Sequence, residues 1–204
     1  TAVSRYLDLV ALGTVADLVH LDRLNRILVA EGIARIRAGA CRPGVRALCA
    51  VAGTVPSEAT AETLGFHVAP RLNAAGRLDD MTIGVRCLLA DSAGEAAALA
   101  ATLHDLNRDR RVLEARMQEE AEALLESATE LDRAALPSLI CLLGENWHEG
   151  LVGLIASRIK DRYHRPTFAF APAEGGMLKG SGRSIAGFHL RDALAEVDAR
   201  HPGL

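Results

Sequence analysis

The apolar positions of this chain change their spacing several times, and each change predicts an element. Residues 7–20 form an apolar run punctuated by Gly13 and Asp17, the pattern of a buried strand running into a turn or a helix start. Over 22–38, Leu24, Ile27, Leu28, Ile33 and Ile36 recur at helical spacing, which predicts an amphipathic helix. Arg42-Pro43-Gly44 then breaks the chain. Residues 57–78 hold a second helix-like segment that gives way to Phe66-His-Val-Ala-Pro-Arg-Leu-Asn-Ala-Ala-Gly-Arg77. Pro70 disfavours helix at Ala69, so a turn is expected there.

Ser92-Ala-Gly-Glu95 has the form of a capping box. Beyond it, Leu99, Leu103, Leu106, Leu113, Met117 and Leu124 fall at intervals of three, four or seven. They predict one helix over 94–127, about 50 Å long at the standard rise. Its narrow apolar stripe marks a connector between two domains, with a solvated charged face. A second domain begins near Pro137. Leu139–Leu143 is a continuous apolar run, as in a strand buried on both faces. A loop over 144–150, a helix over 151–163 and a strand at Thr167–Ala171 complete a βαβ unit. A polar Gly-Ser-Gly-Arg-Ser loop and a helix over 189–199 follow.

Composition narrows the class. Half of the 204 residues are apolar and a quarter charged, as in a folded globular chain. The net charge of −3 gives no global basic field. Of the 23 basic residues only Lys160 and Lys179 are lysines. Arginine is the better fork for phosphate oxygens, although an Ala- and Arg-rich composition also follows from a GC-rich genome. Cys41, Cys49, Cys87 and Cys141 show no C-x-x-C spacing, which fits reduced thiols in a cytosolic protein and argues against zinc. No apolar run reaches the length of a membrane span. The chain opens at Thr1 rather than Met, so a piece of a longer protein is expected.

Four stretches carry candidate chemistry. Asp17 in its apolar run is expensive unless it caps a helix or binds a metal. Arg71, Asn73 and Arg77 stand among small residues, either as surface groups of a turn or as a phosphate-binding patch. In Met177–Ser184, Gly180 and Gly182 would let a ligand approach the backbone. Lys179, Ser181, Arg183 and Ser184 would supply charge and hydroxyls for an anion such as phosphate. The loop before the 151–163 helix lies where backbone N–H groups favour an anion. It holds Trp147 and His148, which could stack on a base or plug the domain edge.

Taken together, these stretches resemble the RecJ family of single-strand-specific DNA exonucleases, within the DHH phosphoesterase superfamily. Leu9–Asp17 is similar to the last metal-binding motif of a DHH catalytic domain, and Pro70–Asp79 to a RecJ signature beyond it. Trp147–Gly150 and Leu178–Ser184 resemble motifs of the DHHA1 domain. The resemblance implies an α/β fold: the C-terminal end of a DHH domain (1–90), a long connecting helix and linker (91–136), and a partial DHHA1 nucleic-acid-binding domain (137–204). It implies a 5′→3′ exonuclease of DNA repair and recombination that hydrolyses single-stranded DNA with Mn²⁺ or Mg²⁺, with Asp17 as one ligand. The other ligands are expected upstream of Thr1 and a Gly-Gly-His motif beyond Leu204, so the chain alone should be inactive. Ser181 and Arg183 would bind a DNA phosphate near its 5′ end, with Arg77 facing the mouth of the same groove. A single-strand-binding protein and a helicase are implied partners, in the cytoplasm and without membrane. A DHH-type nano-RNase, a cyclic-dinucleotide phosphodiesterase and a non-catalytic nucleic-acid-binding module are the alternatives.

Overall fold

The apolar run after Leu7 folds as a helix, not as a strand. In the computed structural model, which describes residues 2–131 and 137–201, α1 spans Leu7–Ala16 and packs on α2, Arg23–Arg37. A continuous apolar run carries no period, so a buried helix and a buried strand look alike in sequence. Gly32 lets the two helices touch. A Cβ there would stand 2.1 Å from the Leu7 carbonyl oxygen and 2.5 Å from Ala11 Cβ. The buried carboxylate of the run is Asp8, which accepts from the N–H groups of Leu9 (2.9 Å) and Arg42 (2.7 Å). The expected α2 is present, with Asp22 capping the Asn25 N–H at 2.8 Å. Its buried stripe is Val29, Gly32 and Ile36, while Leu24 and Ile27 remain exposed.

The break at Arg42-Pro43-Gly44 is a helix start. Pro43 opens α3, Pro43–Val51, where its missing N–H is harmless. The turn expected around Pro70 is likewise helical. A π-helical segment, Thr63–Val68, runs into α4, Ala69–Leu78, with Pro70 in the first turn. Helix α5 covers Thr82–Leu89. These elements enclose a core that includes Ile36, Val45, Leu48, Leu64, Val68, Leu72, Cys87 and Leu103.

Helix α6, Ala93–Leu131, is the long helix that the capping box announces; the Ser92 hydroxyl accepts from the Glu95 N–H at 3.1 Å. It is more than a connector. The chain divides into two compact units, Thr1–Arg110 and Arg111–Leu204, and each half of α6 helps to build its own unit. Ala96, Ala100 and Leu103 are buried in the first half, and Glu114, Met117, Ala121 and Leu125 in the second.

In the second unit, β1 (Ile140–Leu143) and β2 (Thr167–Pro172) are parallel and joined by α7 (Val152–Tyr163). This is the expected βαβ unit. β1 alternates buried and exposed residues instead of being buried on both faces. The Gly-Ser-Gly-Arg segment is a strand rather than a loop: β3, Leu178–Arg183, pairs antiparallel with β2, and the sheet order is β1-β2-β3. Gly180 and Gly182 fit the face that carries the aromatic rings of β2. A Cβ would stand 2.4 Å from the Phe170 ring at the first and 2.6 Å from Phe168 at the second. The room they make belongs to these rings, not to a ligand. Helix α8, Leu190–Arg200, supplies Leu190, Leu194 and Val197 to an apolar cavity shared with Phe168 and Phe170.

Candidate nucleic-acid interface

The first cluster stands where α1 ends. Asp17 is the C-cap of α1, and Leu18 leaves the helix with a left-handed φ of 52°. A carboxylate at this end of a helix faces the negative pole of the macrodipole, so the position favours a cation beside it. Asp17, Asn73, Gly76 and Arg77 line one open cleft of ≈ 460 Å³, together with Ala16, Leu18 and Met81. The helical form of α4 explains the grouping: Asn73 and Arg77, four residues apart, share a face. Among the described residues no group of three His, Cys, Asp or Glu side chains could hold a metal ion. Asp17 can therefore supply one hard oxygen ligand, and this chain does not complete a metal centre among those residues.

Arg71 lies on the opposite face of α4 and is only 7% exposed. Its guanidinium donates to the Val51 carbonyl (3.2 Å), to His104 Nδ1 (3.2 Å) and to the His67 carbonyl. It ties α3, the π-helical segment and α6 together, and does not reach out for phosphate.

The second cluster is built by β3 and α7. Side chains alternate along a strand, so Lys179, Ser181 and Arg183 share the face opposite Gly180 and Gly182. Arg183 donates from one terminal nitrogen to Ser181 Oγ and to the Gly182 carbonyl, both at 2.8 Å. Its other terminal nitrogen lies 2.9 Å from where a Cβ of Gly153 would be, and Ser181 Oγ lies 3.0 Å from the same point. Gly153 is in the first turn of α7, whose earliest N–H groups precede any intrahelical acceptor, while that of Leu154 donates to the Leu151 carbonyl at 2.9 Å. A guanidinium and a hydroxyl thus meet beside the first turn of a helix, a combination that suits an anion. Lys179 pairs with Glu149 at 2.9 Å. Sequence reading passed over Gly153, whose apolar helical surroundings give it no polar signature.

The remaining candidates have structural tasks. Ser184 Oγ donates to the carbonyls of Phe188 and Ile185, within the turn that leads to α8. Trp147 is 4% exposed and donates from Nε1 to Glu120 at 3.0 Å, which fixes the ring within the unit. His148 Nδ1 accepts from the Gly150 N–H at 3.1 Å, shaping the loop before α7.

Residues 136–203 match the DHHA1 domain. The chain is 56% identical over 202 residues to a single-stranded-DNA-specific exonuclease RecJ of Dickeya dadantii, covering 99% of this chain and 35% of that protein. It is 39% identical over 193 residues to RecJ of Thermus thermophilus, covering 95% of this chain and 26% of that protein. The crystal structure of RecJ in complex with Mn²⁺ from Thermus thermophilus superposes with a TM-score of 0.80 at 38% identity, over 96% of this chain and 28% of that one. A structure of exonuclease RecJ bound to manganese gives a TM-score of 0.77 at 38% identity, over 94% and 46% of the two chains. The chain thus spans about a quarter to a third of the length of the curated relatives. By sequence and by fold it matches, over nearly its whole length, a quarter to a third of a RecJ protein.

Proposed function

We propose that this chain is the strand-holding part of a metal-dependent exonuclease that degrades single-stranded DNA from the 5′ end in the cytoplasm. The observation that carries the reading is the convergence of Arg183, Ser181 and the first turn of α7. Such a site takes a phosphate oxygen without reading a base. The Asp17–Asn73–Arg77 cleft is the second support: a carboxylate for a Mn²⁺ or Mg²⁺ ion stands beside an amide and a guanidinium suited to the strand. The ion, when bound, supplies electrostatic activation of the phosphodiester. The residues of this chain orient the strand. A single-strand-binding protein and a helicase belong to the proposal as partners, on the strength of the family resemblance.

The test is the affinity of the 204-residue chain for a single-stranded oligodeoxynucleotide over a salt series, with and without Arg183→Ala. Loss of a charge-assisted phosphate bond weakens binding by about one to two decades. It also makes the salt slope shallower by about 0.7, equally for different base sequences. Mn²⁺ should bring no cleavage by this chain, because Asp17 is one ligand. Unchanged affinity and slope in Arg183→Ala would remove the phosphate site. Mn²⁺-dependent cleavage by the pure chain would refute the division of labour.

A further inference from the structure

We infer that Gly153 is a positioning residue of the anion site: its missing side chain is what allows Arg183 and Ser181 to meet the first turn of α7. This inference rests on the phosphate reading of Arg183 and Ser181. A Cβ at residue 153 would lie 2.9 Å from a terminal nitrogen of Arg183 and 3.0 Å from Ser181 Oγ, with Ser181 Cβ at 3.5 Å. The first distance is closer than a Cβ tolerates, and at the second the hydroxyl must give by a few tenths of an ångström. No backbone atom is among these nearest neighbours, so the fold has no need of a glycine here. Gly153 has no positive φ, and a helix prefers alanine to glycine. On grounds of stability alone, alanine would be the better residue.

The functional cost of alanine falls on the guanidinium. One terminal nitrogen of Arg183 is held by Ser181 Oγ and the Gly182 carbonyl, each at 2.8 Å. The other rests over Gly153. A methyl group at 153 pushes the fork off this seat and strains its bond to Ser181. It also covers the ground from which an anion would reach the Gly153 N–H. Gly153 differs in this from Gly180 and Gly182, which make room for the phenylalanine rings of β2 on the other face of β3.

The experiment is a cycle of Gly153→Ala, Arg183→Ala and the double variant in the full 204-residue chain. It measures affinity for a single-stranded oligodeoxynucleotide, salt slope and thermal midpoint. Gly153→Ala should weaken binding about tenfold, the equivalent of roughly one charge-assisted bond, while its thermal midpoint stays level or rises. In the Arg183→Ala background the same substitution should cost much less, since its main effect is exerted through that side chain. If Arg183→Ala itself leaves binding unchanged, the phosphate reading fails and this inference with it. If Arg183→Ala weakens binding but Gly153→Ala does not, or if the two losses simply add, the positioning role alone is overturned. A Gly153→Ala chain that melts much earlier or fails to fold also overturns it, because the methyl should be absorbed by two mobile side-chain ends.

Discussion

Replacing Arg71 by alanine should unfold the first unit more easily while leaving strand binding alone. The side chain is buried and its fork reaches three acceptors on three segments: Val51 in α3, His67 in the π-helical turn and His104 in α6. A bond from a charged donor contributes about 1.5–3 kcal/mol when its acceptor would otherwise be stranded. Val51 and His104 are half-buried and His67 is exposed, so water replaces part of what is lost. The expected cost is therefore about 3 kcal/mol rather than three full bonds. For a chain of this size that lowers the thermal midpoint by roughly 6–12 °C. Urea denaturation followed by circular dichroism measures the loss. Arg71→Met, which keeps the apolar stem, should lose most of the same stability, and Arg71→Lys should recover only part because one ammonium nitrogen cannot span acceptors that the fork reaches from three separate nitrogens. Below the transition, affinity for a single-stranded oligodeoxynucleotide should equal that of the parent. Unaltered stability with weakened binding would show that the guanidinium faces the ligand.

Three other perturbations have equally definite outcomes. Gly32→Ala places a methyl 2.1 Å from the Leu7 carbonyl oxygen; backbone cannot yield cheaply, so α1 and α2 must separate at a cost of about 3 kcal/mol or more, and a denaturation curve matching the parent would contradict the packing. Burial pushes the Cys87 thiol from 9.0 up to about 11. The folded chain thus keeps its proton where the unfolded chain loses it, and stability that is fully present below about pH 9 is lost as the pH rises toward 11, on the order of 2 kcal/mol. Urea midpoints of Cys87→Ala should therefore fall less steeply than the parent's over that range, and parallel curves would refute the assignment. Cys141 is exposed while Cys41, Cys49 and Cys87 are buried, so an alkylating reagent should label Cys141 first in the native chain; prior labelling of Cys49 or Cys87 would sink the burial pattern.

What could be read from the sequence depended on period and caps. Helix α2, the Ser92 cap of α6 and the βαβ unit carry strong local signals, and the structure contains all three, although the Glu95 carboxylate turns to Arg86 instead of closing the box. The α1 run has no period to read, and Pro70 disguises a helix because proline is tolerated in a first turn. That error hid the most useful distinction in the site. Arg71 and Arg77 look equivalent in a turn, whereas a helix turns one inward and leaves the other lining the cleft. β3 was disguised by glycines whose partners, Phe168 and Phe170, lie ten or more residues away in sequence. Residue types identified Ser181 and Arg183 as an anion-binding pair, but only the crossing of α7 over β3 shows that Gly153 belongs with them.

The division of α6 between two units bears on how such a domain can be inherited. The DHHA1 match begins at residue 136, yet the compact unit begins at Arg111. Between those points lie Glu114, Glu120 and Glu122, which receive Arg158, Trp147 and Arg162. A gene segment cut at the family boundary would carry the three donors without their acceptors, and Arg158 would leave behind a carboxylate that is buried in the intact unit. The transferable module is thus longer than the recognisable one, and its natural seam runs through the middle of a continuous helix rather than through a linker.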